Sequence, residues 1–210
     1  MSEILPHLSP LLIEILDLFG TMAFAVTGAL KAIEHNADIV GVIILATITG
    51  VAGGVIRDII IGILPHALIN PSYLIVTIGT GIVTFFLYPS LKKYWNLFLK
   101  FDAVGIGVFT VIGATFAYNI FGLNFFIMAI AGTLTAVGGG ILRDVLVNEI
   151  PIVLVKEVYA SASFVGIIAF FILLALGFNL NIVAIPCILL VIVLRLTAMK
   201  FKWNLPRARI

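Results

Sequence analysis

One stretch of this sequence is written twice. Asp17, Gly20, Phe24, Gly28, Ala29 and Ala32 recur 85 positions later as Asp102, Gly105, Phe109, Gly113, Ala114 and Ala117. Thr49, Gly53, Gly54, Arg57, Asp58 and Pro65 recur 86 positions later as Thr135, Gly139, Gly140, Arg143, Asp144 and Pro151, a one-residue insertion accounting for the change of offset. A repeat of this kind constrains the fold before any element is assigned, because the chain must build two copies of one unit and pack them together.

Each copy contains three apolar runs. Runs long enough to span a bilayer as helices lie at 11–33, 39–64 and 71–89, then at 95–120, 124–147 and 158–176, with a last one at 182–199. With 62% hydrophobic residues, 10% charged and a mean hydropathy of +1.27, the chain is far too apolar for a water-soluble domain. The expected fold is therefore an all-α membrane protein with seven transmembrane helices, a single transmembrane domain over 1–210. Repeat 1 covers 11–89, repeat 2 covers 95–176, and a seventh helix follows at 182–199. Three helices is an odd number, so the second copy must enter the membrane from the opposite side. The result is two inverted three-helix repeats plus one helix, the plan of many transport proteins.

Basic residues in the connections give an orientation. Lys92, Lys93 and Lys100 fall between the third and fourth helices, Lys156 between the fifth and sixth, and Lys200, Lys202, Arg207 and Arg209 after the seventh. All these connections lie on one side, which the positive-inside bias places in the cytoplasm, leaving the N-terminus outside. The first apolar run carries Glu14 and Asp17 and lacks a basic start, so it is expected to stay in the mature protein rather than be cleaved. A net charge of +2 without a large basic patch gives no reason to expect a nucleic-acid partner. The one cysteine, Cys187, excludes an internal disulfide and a thiolate cluster, and no metal or cofactor is expected.

Chemistry concentrates in the second and fifth helices. Gly53 and Gly54, and then Gly138, Gly139 and Gly140, are adjacent glycines in helix interiors, each costing about 1 kcal/mol relative to alanine. They predict weak points where a helix breaks beside an ion pathway near the bilayer midplane, with Thr49 and Thr135 along it. Ala52 stands where the second copy has Gly138, so the first break is expected to be less pronounced. Close packing is the competing reading, since Gly50 with Gly54 and Ala136 with Gly140 also match small-xxx-small spacing. On the pathway reading, Gly139→Leu blocks flux and leaves assembly intact.

Six charges embedded in the apolar runs carry the argument: Asp17, Arg57, Asp58, Asp102, Arg143 and Asp144. Each costs on the order of 3 kcal/mol deep in a bilayer and needs a partner facing the bundle interior. Asp17 and Arg57 both lie about 9 Å inside the outer ends of their helices, at 1.5 Å per residue, and Asp102 and Arg143 match on the other side. Depth thus pairs Asp17 with Arg57 and Asp102 with Arg143. Asp58 and Asp144 are left as candidate mouth or gate carboxylates, with static ion pairs the plainer alternative. Lys31 with Glu34, and Glu149 with Lys156 and Glu157, are expected to pair at the interface. An enzyme would need an activated nucleophile or a metal inside the membrane, and the sequence offers neither pattern.

The motifs Gly53-Gly54-Val55-Ile56-Arg57-Asp58 and Gly138-Gly139-Gly140-Ile141-Leu142-Arg143-Asp144 each follow an Asp-x-x-Gly-x-x-x-Phe helix. In this the chain resembles the prokaryotic members of the trimeric intracellular cation channel (TRIC) family, a group also known as glycine transporters, over residues 11 to about 199. The resemblance implies a homotrimer in a prokaryotic plasma membrane, with one pore per protomer passing potassium or sodium ions. The cation preference is implied by the resemblance alone, since two arginines near a path would by themselves favour anions. A secondary transporter of a small solute such as glycine is the alternative, because the inverted repeat suits both.

Overall fold

A computed structural model of the chain describes residues 10–91, 96–155 and 158–203. These residues form α1 (Pro10–Glu34), α2 (Ile39–Ile60), α3 (His66–Ile69), α4 (Ser72–Leu91), α5 (Asn96–Phe121), α6 (Phe125–Leu146), α7 (Ile152–Val155), α8 (Ala160–Ala175) and α9 (Leu180–Phe201). Six of them are long and apolar enough to cross a membrane, and the protein is an all-helical membrane protein. The expected seventh crossing run, 158–176, forms only the 16-residue α8. At 1.5 Å per residue that is about 24 Å, short of a hydrocarbon core of about 30 Å. The shortening has a local cause: residues 152–155 form a separate turn of helix, and α8 starts only after Tyr159 has turned into the bundle.

Local chemistry sets the helix ends. The Asp38 carboxylate accepts the Gly41 amide at 2.8 Å to start α2, and the Asn124 side chain accepts the Ile127 amide at 3.2 Å to start α6. Both helices end alike. The Ile63 amide donates to the Asp58 carbonyl and the Glu149 amide to the Asp144 carbonyl, both at 2.9 Å, the six-residue closure of a Schellman turn. The turn needs a left-handed residue, supplied by Gly62 at φ 78° and by Asn148 at φ 59°. These turns fold the chain back so that α3 and α7 lie beside the helices just completed. Four-residue apolar turns carry no periodicity, which is why the sequence reading does not anticipate them.

The two halves meet through reciprocal contacts. A Cβ on Gly20 would lie 2.7 Å from the Phe109 ring, and one on Gly105 3.0 Å from the Phe24 ring, so each phenylalanine seats on the other half's glycine. The rings of Phe24 and Phe109 also touch, with centroids 5.3 Å apart. α2 and α6 cross in the same manner: a Cβ on Gly53 would run into the Thr135 carbonyl oxygen, and one on Gly139 into the Thr49 carbonyl oxygen. α9 has no counterpart in the first half and packs on α5 and α8. Outward-facing Ile75, Val83 and Phe86 on α4 and Leu189 and Val193 on α9 present an apolar surface, as a bilayer requires.

Candidate functional site

Two clusters of buried charge flank the crossing of α2 and α6. In the first, the guanidinium of Arg57, 1% exposed, is held on three sides. Its Nε donates to Asp58 Oδ1 at 2.7 Å, and Nη1 and Nη2 approach Asp17 Oδ2 at 3.5 Å. Phe116 of α5 lies under it, with the guanidinium carbon 3.7 Å from the ring centroid. The Tyr73 hydroxyl of α4 donates to Asp17 Oδ2 at 2.9 Å. One residue from each of α1, α2 and α4 thus makes an Asp-Arg-Tyr constellation.

The second half builds the same constellation. Arg143 Nε donates to Asp144 Oδ1 at 2.8 Å and Nη1 to Asp102 Oδ1 at 3.1 Å, while the Tyr159 hydroxyl donates to Asp102 Oδ1 at 3.0 Å. The ion pairs inferred from depth are therefore present as contacts in both halves. Gly54 and Gly140 lie one turn before the arginines, whose side chains fold back over them toward the helix N-terminus. A Cβ on Gly140 would stand 3.6 Å from Arg143 Nη2 and 3.0 Å from the Tyr159 hydroxyl, so this glycine also clears the way for the tyrosine.

The clusters differ in charge. The first sets one guanidinium against two carboxylates, with the His66 imidazole 3.1 Å from Asp58 Oδ2. The second gains Arg195 of α9, whose Nη2 lies 3.7 Å from Asp102 Oδ2, whose Nη1 donates to the Val158 carbonyl at 2.8 Å, and whose guanidinium covers the Tyr159 ring at 4.4 Å. Arg143 Nη1 additionally donates to Thr27 Oγ1 at 2.9 Å, tying the cluster to the first half. Even so, Asp102 Oδ2, Arg143 Nη2 and Arg195 Nε are buried without a hydrogen-bond partner among the described residues. Such atoms carry a desolvation cost that only water or a rearranged partner relieves.

Several sequence expectations change here. Asp58 and Asp144 do not stand at a mouth. Both are 1% exposed, each bonded to the arginine beside it, and their Oδ2 atoms accept the His66 and Ile152 amides at 2.8 Å. They cap the one-turn helices, so the Schellman turn has taken the carboxylates expected to be free. The helix breaks expected at Gly53, Gly54, Gly138, Gly139 and Gly140 are absent, as α2 and α6 run unbroken through them. The glycines at 53 and 139 admit backbone-to-backbone contact instead. Thr49 and Thr135 hydroxyls donate to the Leu45 and Ala131 carbonyls of their own helices, each at 2.6 Å. Lys31 pairs with Glu149 at 2.7 Å rather than with Glu34, and Glu149 also meets His35 at 3.1 Å. Lys156 and Glu157 lie outside the described residues, as do Lys92, Lys93, Arg207 and Arg209.

Four residues of the site escape the sequence reading: Tyr73, Tyr159, Phe116 and Arg195. The tyrosines had a usable signal, since they too stand 86 positions apart. Arg195 lies outside the repeat, and its signal was of another kind: it is a charge inside the last apolar run, 182–199.

Comparison with known proteins adds a second line of evidence. The family model described as Glycine transporter matches this chain over residues 14–89 and again over 99–175. A UPF0126 membrane protein of Vibrio cholerae is 38% identical over 197 residues, covering 93% of this chain and 82% of the relative. The crystal structure of a prokaryotic TRIC channel superposes with a TM-score of 0.87 at 34% identity, covering 94% of this chain and 100% of that one. The TRIC trimeric intracellular cation channel orthologue from Rhodobacter sphaeroides gives 0.86 at 34% identity, covering 91% and 99%.

Proposed function

The chain belongs to the family described as Glycine transporter, the family of the prokaryotic TRIC channels, and on that premise we propose that it is a channel for monovalent cations such as potassium. The observation that carries this reading is the likeness over nine-tenths of the chain to structures described as TRIC channels. The channel works as a homotrimer with one pore inside each protomer, in the plasma membrane of a prokaryote. Opposite senses for 11–89 and 95–176 are supported by the reciprocal Gly20–Phe109 and Gly105–Phe24 contacts, which a two-fold axis between the halves would generate, and that inversion requires α8 to make the seventh crossing despite its 16 residues.

The ion path passes the two Asp-Arg-Tyr clusters, which act as gates on either side of the α2–α6 crossing. The unpartnered polar atoms around Arg143 support a hydrated path there, because water or ions would satisfy them. Opening then means separating charges, not unwinding glycines. The basic connections support an outside N-terminus and a cytoplasmic C-terminus. A cysteine introduced as Lys202→Cys should react with a membrane-impermeant maleimide only after the cells are opened, and labelling of intact cells would reverse the orientation.

The family description keeps one alternative, an alternating-access carrier of glycine or a similar solute. Purified protein in a planar bilayer separates the two. Unitary current steps with a reversal potential that follows a potassium gradient are expected. Saturable solute exchange without current steps would replace the channel with the carrier.

A further inference from the structure

Two basic segments a hundred residues apart each place a lysine, Lys100 and Lys200, at the same point on the bundle. The stretch from residue 92 to residue 100 has three lysines and no acid, and the stretch from residue 200 onward has Lys200, Lys202, Arg207 and Arg209 and no acid. Lys100 lies near the start of α5 and Lys200 in the last turn of α9, and these helices pack together. Between them the structure holds a groove of about 350 Å³ lined by Leu99, Lys100, Leu196, Met199 and Lys200. Its only charges are the two ammonium groups, both on exposed residues, and neither lysine forms an ion pair among the described residues. The carboxylate nearest in sequence, Asp102, is turned into the bundle and committed to Arg143 and Tyr159.

Below the groove the surface is apolar. Leu196, Val193, Leu189, Ile185 and Ile182 are all exposed, and their spacing of three and four residues puts them on one face of α9. The stripe runs for about 21 Å at 1.5 Å per residue, more than the depth of one leaflet, about half of a 30 Å core.

We propose that this groove is a binding site for one anionic phospholipid, its phosphate held between Lys100 and Lys200 and an acyl chain lying along the α9 stripe. Charge complementarity selects the occupant. A zwitterionic headgroup would bring a cation against two lysines that have no counter-charge among the described residues, and a free phosphate would leave the apolar floor uncovered. The lysine stems lie along the membrane boundary and lift their charges to headgroup level.

Native mass spectrometry of the detergent-solubilised protein, titrated with phosphatidylglycerol or phosphatidylcholine, tests this. Phosphatidylglycerol should bind more tightly than phosphatidylcholine. Each lysine removed, by Lys100→Gln or Lys200→Gln, should weaken it by about fivefold, from about 1 kcal/mol per basic residue near the surface. Phosphatidylcholine binding should not change. Equal phosphatidylglycerol binding by wild type and the double variant would overturn the proposal. So would displacement of the lipid by millimolar inorganic phosphate, which makes the pair an anion site, or a changed subunit count in the double variant, which makes the groove a contact between protomers.

Discussion

Asp102→Ala should destabilise the protein by about 3–5 kcal/mol, the range for removing one partner of a buried ion pair. The loss is large because the carboxylate faces two guanidiniums, Arg143 at 3.1 Å and Arg195 at 3.7 Å, and also accepts the Tyr159 hydroxyl. Adding Arg143→Ala removes one of the orphaned charges, so the double variant should recover part of what Asp102→Ala loses, with a coupling of about 1–3 kcal/mol. Recovery is incomplete, because Arg195 keeps facing the empty position and buried Asp144 loses its own guanidinium partner. The corresponding Asp17→Ala should cost less, since it uncovers one guanidinium, Arg57, rather than two. Thermal unfolding in detergent of wild type, Asp102→Ala, Arg143→Ala and the double variant measures the cycle. Losses that merely add would mean the residues are not partners, and the gate assignment would go with them.

Gly139→Leu should prevent assembly rather than block flux through an assembled protein, contrary to the expectation from sequence. A Cβ at this position would run into the Thr49 carbonyl oxygen, a backbone atom that no rotamer change can move aside. Even Gly139→Ala forces α2 and α6 apart, at a cost of about 3 kcal/mol or more, the upper end for overpacking. Gly54→Ala is the control. Its Cβ would meet Arg57 Nη2 at 3.7 Å, an ordinary contact, so this variant should assemble normally. Size-exclusion profiles and melting temperatures check the contrast. A monodisperse Gly139→Ala variant as stable as wild type would show that the crossing can open without loss.

The ion pairs were legible because depth in a bilayer is nearly one-dimensional. Position along a helix at 1.5 Å per residue decides which charges share a level, and two buried charges of opposite sign at one level have few other partners. The tyrosines were present in the repeat but disguised, since a tyrosine near the end of a membrane helix also suits the lipid interface. Asp58 and Asp144 were misread because their direction depends on the turn that follows. Only once Gly62 and Asn148 fold the chain back do the His66 and Ile152 amides come within reach.

By itself, then, the sequence determined the solvent, the number of copies and the level of each charge, since hydropathy, repetition and helical rise are all properties of position along the chain. Only the tertiary structure decided what the glycines and threonines do and how the two charge clusters differ. Whether adjacent glycines break a helix or admit a neighbour depends on what stands opposite them, and at Gly53 and Gly139 it is a carbonyl of the other half. The inequality of the clusters comes from α9, which is not part of the repeat. Its rotation about its own axis, set by packing on α5 and α8, brings Arg195 to Asp102 and leaves Asp17 without an equivalent.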